Sequence, residues 1–291
     1  MDDGLARVLA RQVERPPSAP VDPATVARWC AVFDDDRVTG VDAVVPALMY
    51  PTFVRPSSPP STEVPATGVV LHDELKQVLG LPIAIAVGYE LDLVGAVGVG
   101  DRLVATERVA SVGEPRTSRL GVGRDWGIEV TTTTTTGAPV GIERFRMFGY
   151  RTEGASMPSG ATSSPPTSAA STAAEVGADW TETLAVDAEF IVRAATANRV
   201  WAPAHHRSTA ARAAGLSDII LDTSSQVALL AGAARRHRTA APLRSVELSM
   251  RRPILPGAEV VLAGIDDGAD TRVTATVVGV AVSRSVVRFA T

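Results

Sequence analysis

Residues 89–112, YELDLVGAVGVGDRLVATERVASV, line up with residues 246–268, VELSMRRPILPGAEVVLAGIDDG, so that Glu90 and Gly100 match Glu247 and Gly257 at the same ten-residue spacing. Each copy reads as a strand, a turn and a second strand, with glycine supplying the positive φ that a tight turn needs. β-branched runs follow both copies: WGIEVTTTTTTG (126–137) and VGIERFRMFGY (140–150) after the first, TRVTATVVGVAV (271–282) and SRSVVRFAT (283–291) after the second. Their composition predicts strands. The poly-Thr run, Thr131 to Thr136, reads as a strand with threonine on both faces.

Helices precede the strands. PATVARWCAVFDD (23–35) puts Val26, Trp29, Cys30 and Phe33 on one apolar face, with Pro23 near its start and Asp22 as N-cap. In the second half RSTAARAAG (207–215) is a short helix closed by Gly215, and SSQVALLAGAARRH (224–237) is longer, apolar in its middle and basic at its end. A helix apolar all round should be buried. The expected architecture is α+β: a central helix wrapped by an antiparallel sheet, made twice.

Between the copies, TEGASMPSGATSSPPTSAASTAAEVGA (152–178) has no hydrophobic period and reads as a flexible linker. It divides the chain into residues 1–151 and 179–291.

The 291 residues are 45% hydrophobic and 21% charged, which fits a globular protein of one or two domains. The net charge is −4 and the 28 basic residues form no long run, so nucleic acid is not an expected partner. The one cysteine, Cys30, excludes an internal disulfide and a cysteine-based metal site. His72 and His237 have no ligand spacing, and no metal or cofactor is expected. No stretch reaches the ~18 apolar residues of a membrane span, and the charged first twenty residues do not read as a secretory signal. The expected location is cytoplasmic.

Residues 195–215, ATANRVWAPAHHRSTAARAAG, carry two adjacent histidines, His205 and His206, between a β-like run and an alanine-rich helix. Together with WAPAHHRSTAARAAGLSDIILDT (201–223) and LSMRRPILPGAEV (248–260), and with VDPATVARWCAVFDDD, VLGLP, VGVGDRL and RLGVG in the first half, this loop resembles the MaoC-like hydratases and dehydratases of acyl thioesters. It is most similar to the double hot-dog type and to actinobacterial enzymes acting on steroid or fatty acyl-CoA. The resemblance implies a double hot-dog fold, with the first half (1–151) binding the acyl chain and the second (179–291) carrying catalysis.

In that family the loop runs Asp-x-Asn-Pro-x-His, its Asp and His holding a water for general acid–base work, while a backbone N–H at the central helix receives the thioester oxygen. Aligned on proline and histidine, this chain has Val200 for the Asp, Ala202 for the Asn, Pro203, and His205 for the histidine. The first half shows the complement: Asp34 at the Asp position, Asp36 at the Asn and Thr39 at the histidine.

His205 is therefore the expected catalytic residue. Asp222 is either an N-cap of the following helix or a replacement acid, and Asp34 either a helix-end aspartate or half of a composite site. Val200, Trp201, Ala202, His206, Thr223, Ser224, Arg251 and Arg252 are expected around the substrate. The N–H groups of Thr223 and Ser224 would receive a carbonyl, and the arginines would meet phosphates of CoA or a carrier protein's phosphopantetheine. His206 is expected to face away from His205, towards solvent or a phosphate, with a structural role favoured over substrate binding. The resemblance implies a dehydratase- or hydratase-type lyase on CoA or carrier-protein thioesters, set in secondary or specialised lipid or steroid metabolism, as a homodimer or with a partner hot-dog subunit. A non-catalytic partner subunit and a hot-dog thioesterase are the alternatives.

Overall fold

A computed structural model describes residues 3–35, 44–58, 68–118, 120–151, 177–238 and 241–290. The expected linker, all but its last two residues, lies outside them, as do Asp36 and Thr39. In the first half the chain forms α1 (Asp3–Leu9), β1 (Gln12–Glu14), α2 (Pro23–Phe33), the short α3 (Tyr50–Phe53), α4 (Val70–Leu79), β2 (Ile83–Leu93), β3 (Leu103–Val112), β4 (Arg116–Ser118), β5 (Gly121–Thr134) and β6 (Pro139–Arg151). In the second it forms β7 (Trp180–Val186), α5 (Ala188–Ala197), α6 (Ser208–Ala213), α7 (Thr223–His237), β8 (Leu243–Met250), β9 (Ala258–Asp267), β10 (Asp270–Val277) and β11 (Val280–Phe289).

The strands make one antiparallel sheet in the order β1-β3-β5-β6-β2-β8-β11-β10-β9-β7, with β4 beside β5. Reading outward from the middle, 2-6-5-3-1 on one side mirrors 8-11-10-9-7 on the other. The repeat is thus real, and its two copies meet at the β2–β8 seam, where Glu90 pairs with Glu247. Gly100 and Gly257 both adopt positive φ, as a tight turn requires. The flanking strands do not form hairpins, however: β2 and β3 are separated by β6 and β5, and β8 and β9 by β11 and β10. The turn carries the chain across the sheet, a non-local pairing that a local sequence pattern does not encode.

The poly-Thr run is strand only as far as Thr134; Thr135 and Thr136 lie in the turn before Gly137, whose φ is +87°. Thr132 is buried and Thr131 exposed, which is the expected alternation.

Helix α7 is the buried central helix of the second half. Asp222 caps its start through Ser225 N–H (3.0 Å), and Arg235, Arg236 and His237 complement the dipole at its end. Its middle is built of alanine, glycine, valine and leucine, which lets it sit close to the sheet. The matching helix of the first half is α4, which the sequence reading passed over. Val69 offers it no side-chain cap; Glu107, on the core face of β3, accepts from Val70 N–H at 3.0 Å instead.

Helix α2 follows expectation, with Asp22 accepting from Thr25 N–H at 2.7 Å and the Val26, Trp29, Cys30 and Phe33 stripe buried. It packs on α5, its counterpart. That segment, read from sequence as β-like, is helical from Ala188 because Asp187 caps it through Phe190 N–H (2.6 Å).

Candidate functional site

After α5 the chain turns sharply through Arg199, whose φ is +53°. That turn is held from several sides. The Asn198 side chain is buried; its Oδ1 accepts from Trp29 Nε1 (2.9 Å) and its Nδ2 donates to Ser225 Oγ (3.1 Å). Ser225 Oγ donates in turn to Asp222 Oδ2. The Asn198 carbonyl accepts from Arg55 Nη1 (3.0 Å), and Arg55 Nη2 donates to Glu143 (3.1 Å), which also accepts from Tyr89 OH (2.8 Å). Each buried polar group thus finds a partner, and the network ties α2, α5, α7 and β6 to the loop.

His205 and His206 sit on this loop, each fixed by one ring nitrogen. His205 Nδ1 lies 2.8 Å from the Ile220 carbonyl, and His206 Nε2 lies 2.7 Å from the Val200 carbonyl. A carbonyl only accepts, so each of those nitrogens carries a proton. In the neutral ring, His205 Nε2 is then left with its lone pair free. His206, half-buried, braces its own loop and stacks on Trp201 at 5.8 Å. Trp201 Nε1 donates to the Pro56 carbonyl (2.7 Å), hanging the loop from the first half.

The anchor of His205 lies three residues before α7. Leu221 N–H, the next residue, bonds the Ile254 carbonyl (3.0 Å), which stitches in the RRPILPG turn. Thr223 and Ser224 open α7, and their N–H groups take no partner among the described residues, as the first N–H groups of a helix need not. Arg251 and Arg252 are exposed and form no ion pair with a described carboxylate. The segment that leads into α7 thus contacts both the His205 ring and the turn that follows Arg251 and Arg252.

The two candidate acids stand differently. Asp222 is 2% exposed, with Oδ1 bonded to Ser225 N–H and Oδ2 to Ser225 Oγ, so both oxygens serve the helix start. Asp34 is exposed at the C-terminus of α2 with φ +52°, next to Asp35, which pairs with Arg235 (3.1 Å) near the far end of α7. His205 is tied just before the near end, and fifteen helical residues span about 22 Å. The composite Asp34–His205 site is not formed.

Sequence reasoning missed Asn198, Arg55 and Glu143, because their roles depend on partners 27 to 169 residues away. Among the described residues no group of three or more His, Cys, Asp or Glu could hold a metal, and no helix is long and apolar enough to cross a membrane.

No family model matches the sequence, and no curated protein is similar to it. Solved structures are similar throughout. A MaoC-like dehydratase superposes with a TM-score of 0.69 at 15% identity, over 98% of this chain and 100% of that one. HtdX of Mycobacterium tuberculosis gives 0.62 at 17% identity over 96% and 100%. A conserved hypothetical protein of the same organism, described as having a double hot-dog fold, gives 0.58 at 12% identity over 96% of each chain. This chain has the double hot-dog fold.

Proposed function

We propose that this double hot-dog protein is a lyase of dehydratase or hydratase type acting on an acyl thioester, with His205 as its acid–base residue. The observation that carries the reading is the bond between His205 Nδ1 and the Ile220 carbonyl, which leaves Nε2 as a base on the segment that leads into α7. The open N–H groups of Thr223 and Ser224 supply the other half of the chemistry, since a thioester oxygen gains negative charge as the α-proton leaves.

One imidazole can serve both steps of an elimination. Nε2 takes the α-proton as the C–H bond breaks, and the imidazolium returns it to the departing β-hydroxyl as the C–O bond breaks. A C=C bond forms and water leaves; hydration is the reverse. Arg251 and Arg252 suit the phosphates of CoA or of a phosphopantetheine arm. Val200 gives the site no carboxylate, so the substrate must have an acidified α-proton or an activated leaving group.

Val200 also favours the second reading, a binding subunit that works beside a catalytic hot-dog partner. Incubation of the purified chain with crotonyl-CoA and glutaconyl-CoA, following enoyl absorbance and free thiol in parallel, separates the cases. Loss of absorbance without thiol supports the lyase. Thiol release would establish a thioesterase, and tight binding with neither change a binding subunit.

A further inference from the structure

A cleft of about 300 Å³ adjoins the His205 loop, lined by Arg15, Arg55 and Arg199 and by Pro16, Phe53 and Val70. It belongs to the same construction as that loop. Arg199 precedes Val200, and the Pro56 carbonyl on the cavity rim is the one that holds Trp201.

The arginines are not all satisfied. Arg55 is matched by Glu143 at 3.1 Å. Arg15 Nε stands 3.7 Å from Glu107, beyond hydrogen-bond distance, because that carboxylate is turned to Val70 N–H at 3.0 Å. Arg15 donates one bond, Nη1 to the Val54 carbonyl (3.2 Å), while its buried Nε and Nη2 have no hydrogen-bond partner among the described residues. Arg199 forms no ion pair with a described carboxylate; its Nη1 lies 3.5 Å from the Thr52 carbonyl and its guanidinium over the Phe53 ring. Glu107 and Glu143 face Arg15 and Arg55, and Asp22 acts on Arg199 from beyond ion-pair distance, so what stands open beside this cleft is the pair of unpartnered Arg15 donors rather than a spare charge. Burial lowers the pKa of both Arg15 and Arg199, so a bound anion would relieve desolvated charge.

We propose that this cavity holds the carboxylate end of a short acidic acyl group, so that the substrate is a thioester of a dicarboxylic acid. A carboxylate would take the two unpartnered Arg15 donors in planar paired geometry, and prolines and Phe53 line the space for the few methylenes between. The volume lies at the small end for ligand sites, which limits the acyl group to a few carbons. The inference rests on the acyl-thioester reading above.

Calorimetric titration of the full chain with succinyl-CoA and with butyryl-CoA tests it. Succinyl-CoA should bind about 10- to 100-fold tighter, the range of a charge-assisted bond. Arg199→Gln and Arg15→Gln should each abolish that preference with butyryl-CoA affinity unchanged, and His205→Ala should keep it. Arg199, half-buried and free of ion pairs with described carboxylates, carries the test if Arg15→Gln does not fold. Equal binding of the two esters, or a preference that survives the Arg199 change, overturns the proposal. So does a loss of butyryl-CoA binding in Arg199→Gln with competition by inorganic phosphate, which would assign the wall to CoA phosphates. If neither ester binds but free succinate does, in an Arg199-dependent way, the thioester reading falls and the carboxylate site stands; if succinate also fails to bind, both fall.

Discussion

Glu90 and Glu247, the two residues matched by the internal repeat, face each other as a register pair across β2 and β8. Two carboxylates opposed on a sheet repel, and the seam answers with arginine. Arg146, opposite Gly88 on β6, reaches both at 3.8 Å, while Arg288 lies 3.6 Å from Glu247 and Arg144 4.0 Å from Glu90. The absence of a side chain at Gly88 makes room for the Arg146 guanidinium.

Arg146→Ala should therefore destabilise the fold, by about 0.5 kcal/mol at low salt given the exposure of these groups. Urea denaturation at two ionic strengths measures it. The loss should shrink in 1 M salt, and a loss unaffected by salt would mean that packing, not charge, was removed.

Asn198→Ala should cost about 2–3 kcal/mol, because Trp29 Nε1 and Ser225 would lose partners in a buried site. Chemical denaturation, with Trp29 as reporter, gives the value. A change below about 0.5 kcal/mol would show that the Asn198 network does not hold the loop.

Asp222 is placed to cap α7, and Asn caps helices as well as Asp does. Asp222→Asn keeps the cap to Ser225 N–H but not the acceptor for Ser225 Oγ, so it should lose about 1 kcal/mol and keep turnover, whereas Asp222→Ala should lose about 2 kcal/mol. A folded Asp222→Asn protein without turnover would make Asp222 the missing acid.

His72 is buried on α4 beside Trp126, whose Nε1 donates to His72 Nδ1 at 3.3 Å. Burial pushes its pKa down from 6.5 to about 4, with Asp73 opposing and Lys76 assisting. The unfolded chain therefore binds a proton that the folded one refuses, and stability contributed by neutral His72 is whole above pH 6.5 and lost as pH falls towards 4. The loss amounts to about 3 kcal/mol. Melting curves between these pH values should flatten in His72→Gln, which stays neutral and can still accept from Trp126.

Legibility followed the range of the interactions. The α2 stripe, the Asp22 and Asp222 caps and the basic end of α7 lie within a few residues of what they serve, and the sequence displays them. Helix α4 was missed because its start is capped by Glu107, 37 residues away from Val70. The segment before the histidines looked β-like because the turn through Arg199 is enforced by partners on α2, α7 and the first half. At the candidate site, the loop pattern singled out His205; its tautomer and the role of His206 depend on carbonyls fixed by the folded loop, and the cavity arginines on contacts between the two halves.

The central claim is that His205 Nε2 moves the proton. The direct measurement is turnover of enoyl thioesters, crotonyl-CoA and glutaconyl-CoA, by the wild-type chain and by His205→Ala with its fold verified by circular dichroism. The account predicts a fall of at least about 10²-fold in kcat with thioester binding retained. Equal turnover by the two proteins would contradict it.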